Sequence, residues 1–290
     1  LEKPEIVCVV GPTASGKTEY AINLAKKYNG EVVSCDSMQI YRYMDIGTAK
    51  PTQEEMQNIP HHMIDFVDPR EDYSVADFVR DARVCINDIL ERKKLPVLCG
   101  GTGLYVDSIL NQIEFSEEKK DEKYRHQLQE LAQVKGNDAV YALLLEQDPK
   151  AAEAIHPHNL KRVIRALEII KTTGMTKEEA DKKARKEPVY QATIYGMQME
   201  REKLYQRINL RVDQMMDRGL LDEVRRLLEM GVSRKSTAMQ AIGYKELAEY
   251  FDGFCSLEEA VDSIKRESRR YAKRQMTWFR RNSDIIWIQR

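Results

Sequence analysis

The sequence predicts an α/β fold, a doubly wound parallel sheet core with an inserted all-helical subdomain. An apolar run, Ile6-Val7-Cys8-Val9-Val10, leads straight into Gly-Pro-Thr-Ala-Ser-Gly-Lys-Thr at residues 11–18. That is the strand, loop and helix start of a P-loop, which makes the core P-loop NTPase-like. Strand-like and helical segments then alternate through the first third of the chain. From about Phe115 to Pro188 the strand pattern gives way to charged, helix-forming sequence, and Ala192-Thr193-Ile194-Tyr195-Gly196-Met197 reads as a return to the sheet. The division implied is a core of residues 1–114 and 190–290 with a helical insertion of residues 115–189.

Each element has its own signal. After the loop, Ala21, Leu24, Ala25 and Tyr28 recur at helical spacing, and Asn29-Gly30 ends that helix. Glu31-Val32-Val33-Ser34-Cys35 is a second strand running out at Asp36, and Met63 to Val67, closed by Asp68-Pro69, predicts a third. Ser74 and Asp77 form a capping box for a helix whose stripe is Phe78, Ala82, Cys85, Ile86 and Ile89. Leu95-Pro96-Val97-Leu98-Cys99 is the next strand, broken by Gly100-Gly101-Thr102-Gly103. In the insertion, Tyr141, Leu144, Leu145, Ile155, Val163, Leu167 and Ile170 supply apolar stripes. One long helix is expected from about Arg201 to Met230, with Arg207 and Arg211 on one face.

Composition narrows the class. At 290 residues, 42% hydrophobic and 32% charged, the chain can bury a sizeable core. No apolar stretch approaches the roughly 18 residues that cross a bilayer, and Leu1-Glu2-Lys3-Pro4 lacks a signal peptide's apolar centre. Five cysteines without metal spacing, mostly in apolar runs, read as reduced thiols, so a cytoplasmic location and no membrane partner are expected. No obligate protein partner is evident. The net charge of −1 hides an asymmetry: residues 1–114 hold 12 Lys/Arg against 18 Asp/Glu, leaving 34 against 29 for the remainder. Between 265 and 281 eight cations face the single acid Glu267, interleaved with Tyr271, Trp278 and Phe279. Such a run is either a solvated helix face or a nucleic-acid surface, where phosphates are neutralised and bases stacked.

The chemistry centres on the loop. A P-loop aims backbone N–H groups, a helix N-terminus and the Lys17 ammonium at one point, where a polyphosphate fits, and Thr18 can add its hydroxyl to a Mg²⁺ shell. The loop alone leaves open whether the diphosphate belongs to a nucleotide. The strand before Gly100 ends in Gly-Gly-Thr rather than a carboxylate, so ATP hydrolysis is weakly supported, with Asp65 or Asp68 as substitutes for the missing acid. Ligands of such sheets bind beyond the strands' carboxyl ends, where Asp36 and Thr102 converge with the loop. Asp36 is suited to take a proton from an incoming nucleophile, or only to order its loop by an Asx turn. Arg211 is suited to clamp a departing diphosphate, or is an ordinary solvated arginine.

These residues resemble one family, the tRNA dimethylallyltransferases (tRNA isopentenyltransferases). The resemblance covers most of the chain. It rests on the 11–18 loop, Asp36-Ser37-Met38-Gln39-Ile40-Tyr41-Arg42, Met44-Asp45-Ile46-Gly47-Thr48-Ala49-Lys50-Pro51 and Tyr73 to Phe78. It continues through Gly100 to Tyr105, Arg162 to Glu168, Leu204 to Arg211, Gly243-Tyr244 and Lys273 to Arg280. The Asp-Ser-x-x-x-Tyr and Gly-Thr-Ala-Lys-Pro blocks are far more specific than the P-loop.

The resemblance implies transfer of a dimethylallyl group from dimethylallyl diphosphate to the exocyclic amine of the adenosine 3′ of the anticodon in tRNA. Gly11, Thr13, Ala14, Ser15, Gly16, Lys17 and Thr18, with Mg²⁺ and Arg211, would hold the donor diphosphate. Asp36 would be the base, and Thr102 would help hold the metal or diphosphate opposite it. The adenosine would be flipped out of its stack to meet Ser37, Met38 and Gln39. Arg125, Lys161, Arg162 and Arg165 of the insertion would grip the anticodon stem-loop, and Gln240, Gly243, Lys245, Lys273, Arg274, Trp278 and Arg280 would complete the cradle. A P-loop small-molecule kinase, an adenylate prenyltransferase acting on free nucleotides and a nucleotide-gated RNA-binding module are the alternatives.

Overall fold

The computed structural model describes residues 3–113 and 121–290, so Leu1, Glu2 and the expected boundary at 114/115 lie outside the described residues. The chain divides into two units, Leu1–Leu110 with Pro188–Arg290, and Asn111–Glu187. The sequence reading set these limits a few residues later.

In the first unit β1 (Glu5–Val10) is followed by α1 (Lys17–Lys27), β2 (Gly30–Ser34), the short α2 (Gln53–Met56), β3 (His61–His62), α3 (Val75–Glu91), β4 (Leu95–Gly100) and α4 (Gly103–Leu110). The six strands, which include β5 (Gln191–Gln198) and β6 (Ile285–Gln289), form one sheet in the order β3-β2-β4-β1-β5-β6, all parallel. Strands buried on both faces need continuous apolar runs, and the Val/Ile/Cys composition of β1, β2 and β4 supplies them. β1 turns into the loop between β4 and β5, with Val10 level with Gly100 on one side and Gly196 on the other. The carboxyl ends of the central strands therefore open at one place.

Local signals act as the sequence indicates at several points. Asn29 takes the left-handed conformation (φ 52°) that ends α1, and Ser74 and Asp77 form their reciprocal cap. Phe78, Ala82, Ile86 and Ile89 are buried, whereas Cys85 is only half-buried. Two expectations are corrected, and one element is new. Met63–Val67 is not a strand, because Met63 and Asp65 have positive φ and turn the chain away after His62; Val67 instead bridges Tyr41. The long helix is two, α10 (Arg201–Asp217) and α11 (Leu220–Glu229), separated at Gly219 with φ 96°. β6 has no counterpart in the sequence reading, although Ile285-Ile286-Trp287-Ile288 is an apolar run of strand length.

A second core forms beyond the sheet. The 3-10 turn Ala238–Gln240, α12 (Tyr244–Phe251) and α13 (Leu257–Phe279) pack with α11 around Met44, Val224, Leu227, Tyr244, Leu247 and Ile264. Glu223, 2% exposed, lies inside it. Its carboxylate accepts from the backbone N–H groups of Asp45, Ile46 and Gly47 at 2.9–3.2 Å and from the Tyr244 hydroxyl at 2.5 Å. Gly47 permits that approach, since a Cβ there would stand 2.5 Å from the Tyr244 ring. Lys50, its side chain 7% exposed, ties the same loop to Asp45, Asp65 and the Tyr41 carbonyl.

The second unit holds α5 (Glu122–Lys135), α6 (Asn137–Gln147), α7 (Pro149–Ala154), α8 (Leu160–Thr173) and α9 (Lys177–Ala184). Leu128, Val140, Leu144, Val163 and Leu167 form its core, while Leu145, expected in the stripe, is 50% exposed. Buried Asp148 accepts from the Ala151 N–H at the start of α7 and from the Lys177 N–H of α9. Glu168, 1% exposed, holds the guanidinium groups of Arg125 and Arg165. Among the described residues no helix is long and apolar enough to cross a membrane.

Candidate active site

The loop after β1 takes its shape from three left-handed or extended-glycine positions. Gly11 (φ 152°) passes so close to β5 that a Cβ would lie 2.9 Å from the Met197 carbonyl; Ala14 (φ 62°) and Gly16 (φ 83°) coil the chain into α1. The first-turn N–H groups of α1 and its dipole face the cavity above. The Ser15 hydroxyl is buried under the loop without a hydrogen-bond partner. Lys17 Nζ reaches back to the Pro12 carbonyl at 3.3 Å.

A cavity of about 340 Å³ opens over these groups, walled by Thr13, Lys17 and Thr18, by Asp36 to Gln39, and by Arg211, Tyr271 and Arg274. The rest of the lining mixes apolar residues, among them Val32, Ile208, Val212, Met215 and Ile264, with polar ones such as Ser34, Thr48, His61 and Gln275. Gln240 and Gly243 also reach it. Burial lowers the Lys17 ammonium below the usual lysine value, with the thiol of Cys99 and the charge of Asp36 pulling the other way. Burial likewise lowers Arg211, against the carboxylates of Glu55 and Asp36. Arg211 Nη1 lies 3.5 Å from the Thr13 hydroxyl. Two cations held partly out of water in a cavity of mixed lining suit a small polyanion with an apolar tail.

In the same cavity, Asp36 follows β2. Its Oδ1 accepts from the N–H groups of Met38 (2.9 Å) and Gln39 (3.4 Å), so the Asx turn exists; both bonds use Oδ1, which leaves Oδ2 to the cavity. Thr102 stands behind it, its Oγ1 accepting from the Ser37 N–H at 3.1 Å and its own N–H donating to the Cys35 carbonyl. The Tyr271 hydroxyl bonds toward Thr102 and Gln275, and burial with the nearby Asp36 charge pushes it up to about 12. Gln39 is anchored by its amide to the Thr48 and Ala49 carbonyls.

The remaining expected residues fall elsewhere. Trp278 turns inward, its Nε1 donating to Asp107 at 2.9 Å and its ring covering Gly103, so it fastens α13 to α4. Lys245, Lys273 and Arg280 are exposed; Lys245 pairs loosely with Glu249 at 3.9 Å, and Lys273 and Arg280 form no salt bridge among the described residues. In the second unit Lys161 and Arg162 are exposed, whereas Arg125 and Arg165 are engaged by Glu168, whose carboxyl, despite burial, those two guanidiniums hold at about 2. Asp65 and Asp68 are corrected as metal partners: Asp65 is bound to Lys50 and Asp68 to Arg70.

Two cavity residues escaped the sequence reading. Gln275, 5% exposed, accepts from the Thr13 N–H and donates to the Gly101 carbonyl. His61 lines the wall with Nδ1 on the Ile59 carbonyl at 2.8 Å and a buried Nε2 without a partner; burial lowers its pKa. Gln275 sits inside a matching motif, but an uncharged residue in a basic run carries no signal of contact. His61 precedes the strand expected from Met63 and carried no motif signal.

Comparison with known proteins identifies the family. The IPP transferase family profile matches residues 39–282 and the isopentenyl transferase profile residues 4–68. The chain is 52% identical over 287 residues to the tRNA dimethylallyltransferase of Halalkalibacterium halodurans, covering 99% of this chain and 91% of that one. To the tRNA dimethylallyltransferase of Bacillus subtilis it is 51% identical over 286 residues, with the same coverage. The crystal structure of the full-length tRNA isopentenylpyrophosphate transferase of Bacillus halodurans superposes with a TM-score of 0.74 at 51% identity, covering 99% of this chain and 90% of that one. A eukaryotic dimethylallyltransferase caught acting on tRNA superposes at 0.83 with 31% identity, covering 99% and 74%. With its P-loop, its Asp36–Thr102 pair and these matches along nearly its whole length, the chain belongs to the tRNA dimethylallyltransferase family, the IPP transferases.

Proposed function

We propose that the protein transfers a dimethylallyl group from dimethylallyl diphosphate to the exocyclic amine of the adenosine 3′ of the anticodon in tRNA, releasing diphosphate, in the cytoplasm. The observation that carries the reading is a single cavity that brings together the buried cations Lys17 and Arg211, the Asp36 carboxylate and a stretch of apolar wall. The P-loop amides, Lys17 and Arg211 bind the diphosphate, and the apolar walls receive the prenyl tail and the flipped base. The amine nitrogen attacks the allylic carbon while the carbon–oxygen bond breaks, its electron pair leaving with the diphosphate. Asp36 takes the amine proton, with Thr102 keeping the Asp36–Ser37 turn in place. Lys17 and Arg211 stabilise the charge that grows on the leaving group.

Mg²⁺ fits the donor end. Among the described residues no cluster of three or more His, Cys, Asp or Glu side chains could hold a metal, so the ion would be held by the Thr18 hydroxyl and mainly by the donor's own phosphate oxygens. When bound it supplies further charge neutralisation for the leaving diphosphate. Lys161 and Arg162, with Lys273, Arg274 and Arg280, supply exposed positive charge for the tRNA backbone.

The test is incubation with radiolabelled dimethylallyl diphosphate, Mg²⁺ and either unmodified tRNA or AMP, without ATP, followed by nucleoside analysis. Label on tRNA adenosine alone is expected. Label on AMP would instead assign a free-nucleotide prenyltransferase.

A further inference from the structure

Gln275 projects from α13, the helix that also carries Tyr271 and Arg274 into the cavity wall. Its side-chain amide bonds to two loops at once. Oε1 accepts the Thr13 N–H at 2.9 Å, and Nε2 donates to the Gly101 carbonyl at 3.0 Å. The orientation is unique, because a flipped amide would face donor to donor at Thr13 and acceptor to acceptor at Gly101. Gly101 is shaped to receive it: a Cβ there would lie 2.1 Å from Nε2. Such burial of a primary amide, with both ends satisfied by main-chain groups of different loops, fixes the separation of those loops.

The two loops carry the two halves of the site. Thr13 opens the P-loop, four residues ahead of Lys17 and beside Arg211, while Gly101 precedes Thr102, which holds the turn at Asp36 and Ser37. No strand pairing joins their tips, since β1 and β4 stop pairing at Val10 and Gly100. We propose that Gln275 is a positioning residue that clamps the P-loop against the Gly101–Thr102 turn, setting the loop's shape for the diphosphate and its distance from Asp36. The proposal rests on the assignment of the P-loop as the diphosphate site. Thr13 N–H is thereby committed to the protein, and the donor is met by the amides nearer α1.

The test is a double-mutant cycle across the clamp, with Gln275→Met, which keeps the length and removes both bonds, and Gly101→Ala, which fills the seat from the other side. The readout is affinity for inorganic diphosphate in the presence of Mg²⁺, with affinity for an anticodon stem-loop RNA and thermal stability measured beside it. Each single variant is expected to weaken diphosphate binding by about tenfold, and the double variant by no more than either, because both break the same clamp. RNA affinity stays within about twofold. Losses that multiply in the double variant, unchanged diphosphate affinity, or equal weakening of diphosphate and RNA would each overturn the proposal, the last marking a general loss of structure. Should Gln275→Met fail to fold, Gly101→Ala with Gln275→Glu takes its place, since Glu still accepts from Thr13 but repels the Gly101 carbonyl. None of these readouts involves prenyl transfer, so failure of the wild-type enzyme to label tRNA would count against the proposed function alone.

Discussion

In the proposed function Asp36 carries two tasks on one carboxylate, holding its turn through Oδ1 and taking the amine proton. Asparagine keeps an oxygen acceptor for the Met38 and Gln39 N–H groups while removing the proton acceptor. Asp36→Asn is therefore expected to bind diphosphate and tRNA normally while turnover falls roughly 10²-fold or more in single-turnover assays; near-normal turnover would exclude a base there. Glu223 offers a contrasting case, since it does not itself line the cavity but supports Gly47, which does. Glu223→Ala strands three backbone donors and the Tyr244 hydroxyl, a loss of about 3 kcal/mol that urea unfolding would read. The sequence makes Asp36, Lys17 and Thr18 legible because loop chemistry is local. Glu223 and Gln275 act on partners far along the chain, and nothing in their neighbours announces it. Trp278 is the converse: an aromatic among cations suggested a nucleic-acid surface, yet Asp107 and Gly103 draw it inward.

At the level of elements, the helical unit depends on an ion cluster. Burial alone would raise the Glu168 carboxyl, but Arg125 and Arg165 bring it to about 2, below its ordinary value of 4.5. A depressed carboxyl stabilises the fold fully above the unfolded-state value and loses that contribution as pH falls toward the folded-state one. The window is thus about pH 4.5 down to 2, with on the order of 3 kcal/mol at stake for this 1% exposed side chain. Glu168→Gln should flatten the pH dependence of helical-unit unfolding in that window, followed by circular dichroism; an unchanged slope would assign the acid sensitivity elsewhere. The break between α10 and α11 shows what periodicity leaves out. An apolar stripe continues on both sides of Gly219, and only its positive φ divides the helix. Gly219→Ala is accordingly expected to lower stability by about 1 kcal/mol in thermal melts. The strand expected at Met63–Val67 failed for the same reason, since positive φ at Met63 and Asp65 leaves no trace in hydrophobicity.

Across the whole molecule, charge is distributed by task. Residues 1–114, which hold the P-loop and Asp36, carry more acids than bases, and the cations accumulate later, above all along α13. Part of that run is paired within the protein: Lys265 with Asp213, and Arg266 and Arg270 with Glu267, while Arg269 donates to the uncharged Asn209. Lys273, Arg274, Arg280 and Arg281 are exposed and form no salt bridge among the described residues. Neutralising Arg274 and Arg280 together to Gln should weaken tRNA binding and reduce the slope of log affinity against log salt by about 1–2, leaving diphosphate affinity within a few-fold. An unchanged slope would move the RNA to another face. Composition revealed the charge excess, but only the ion pairs show which members of it are available.

The order of strands in the sheet also governs how the protein comes off the ribosome. β1 lies between β4 and β5, and the partner of Glu5 is Gln191, so the strand feeding the P-loop is made early and completed late. At ordinary synthesis rates it waits roughly 10–40 s for that neighbour. Meanwhile the segment from Asn111 to Glu187 emerges with contacts among its own adjacent helices, which close quickly. The inserted unit is thus placed to fold first, while an apolar strand with an unpaired edge stands exposed to chaperones or to a second nascent chain.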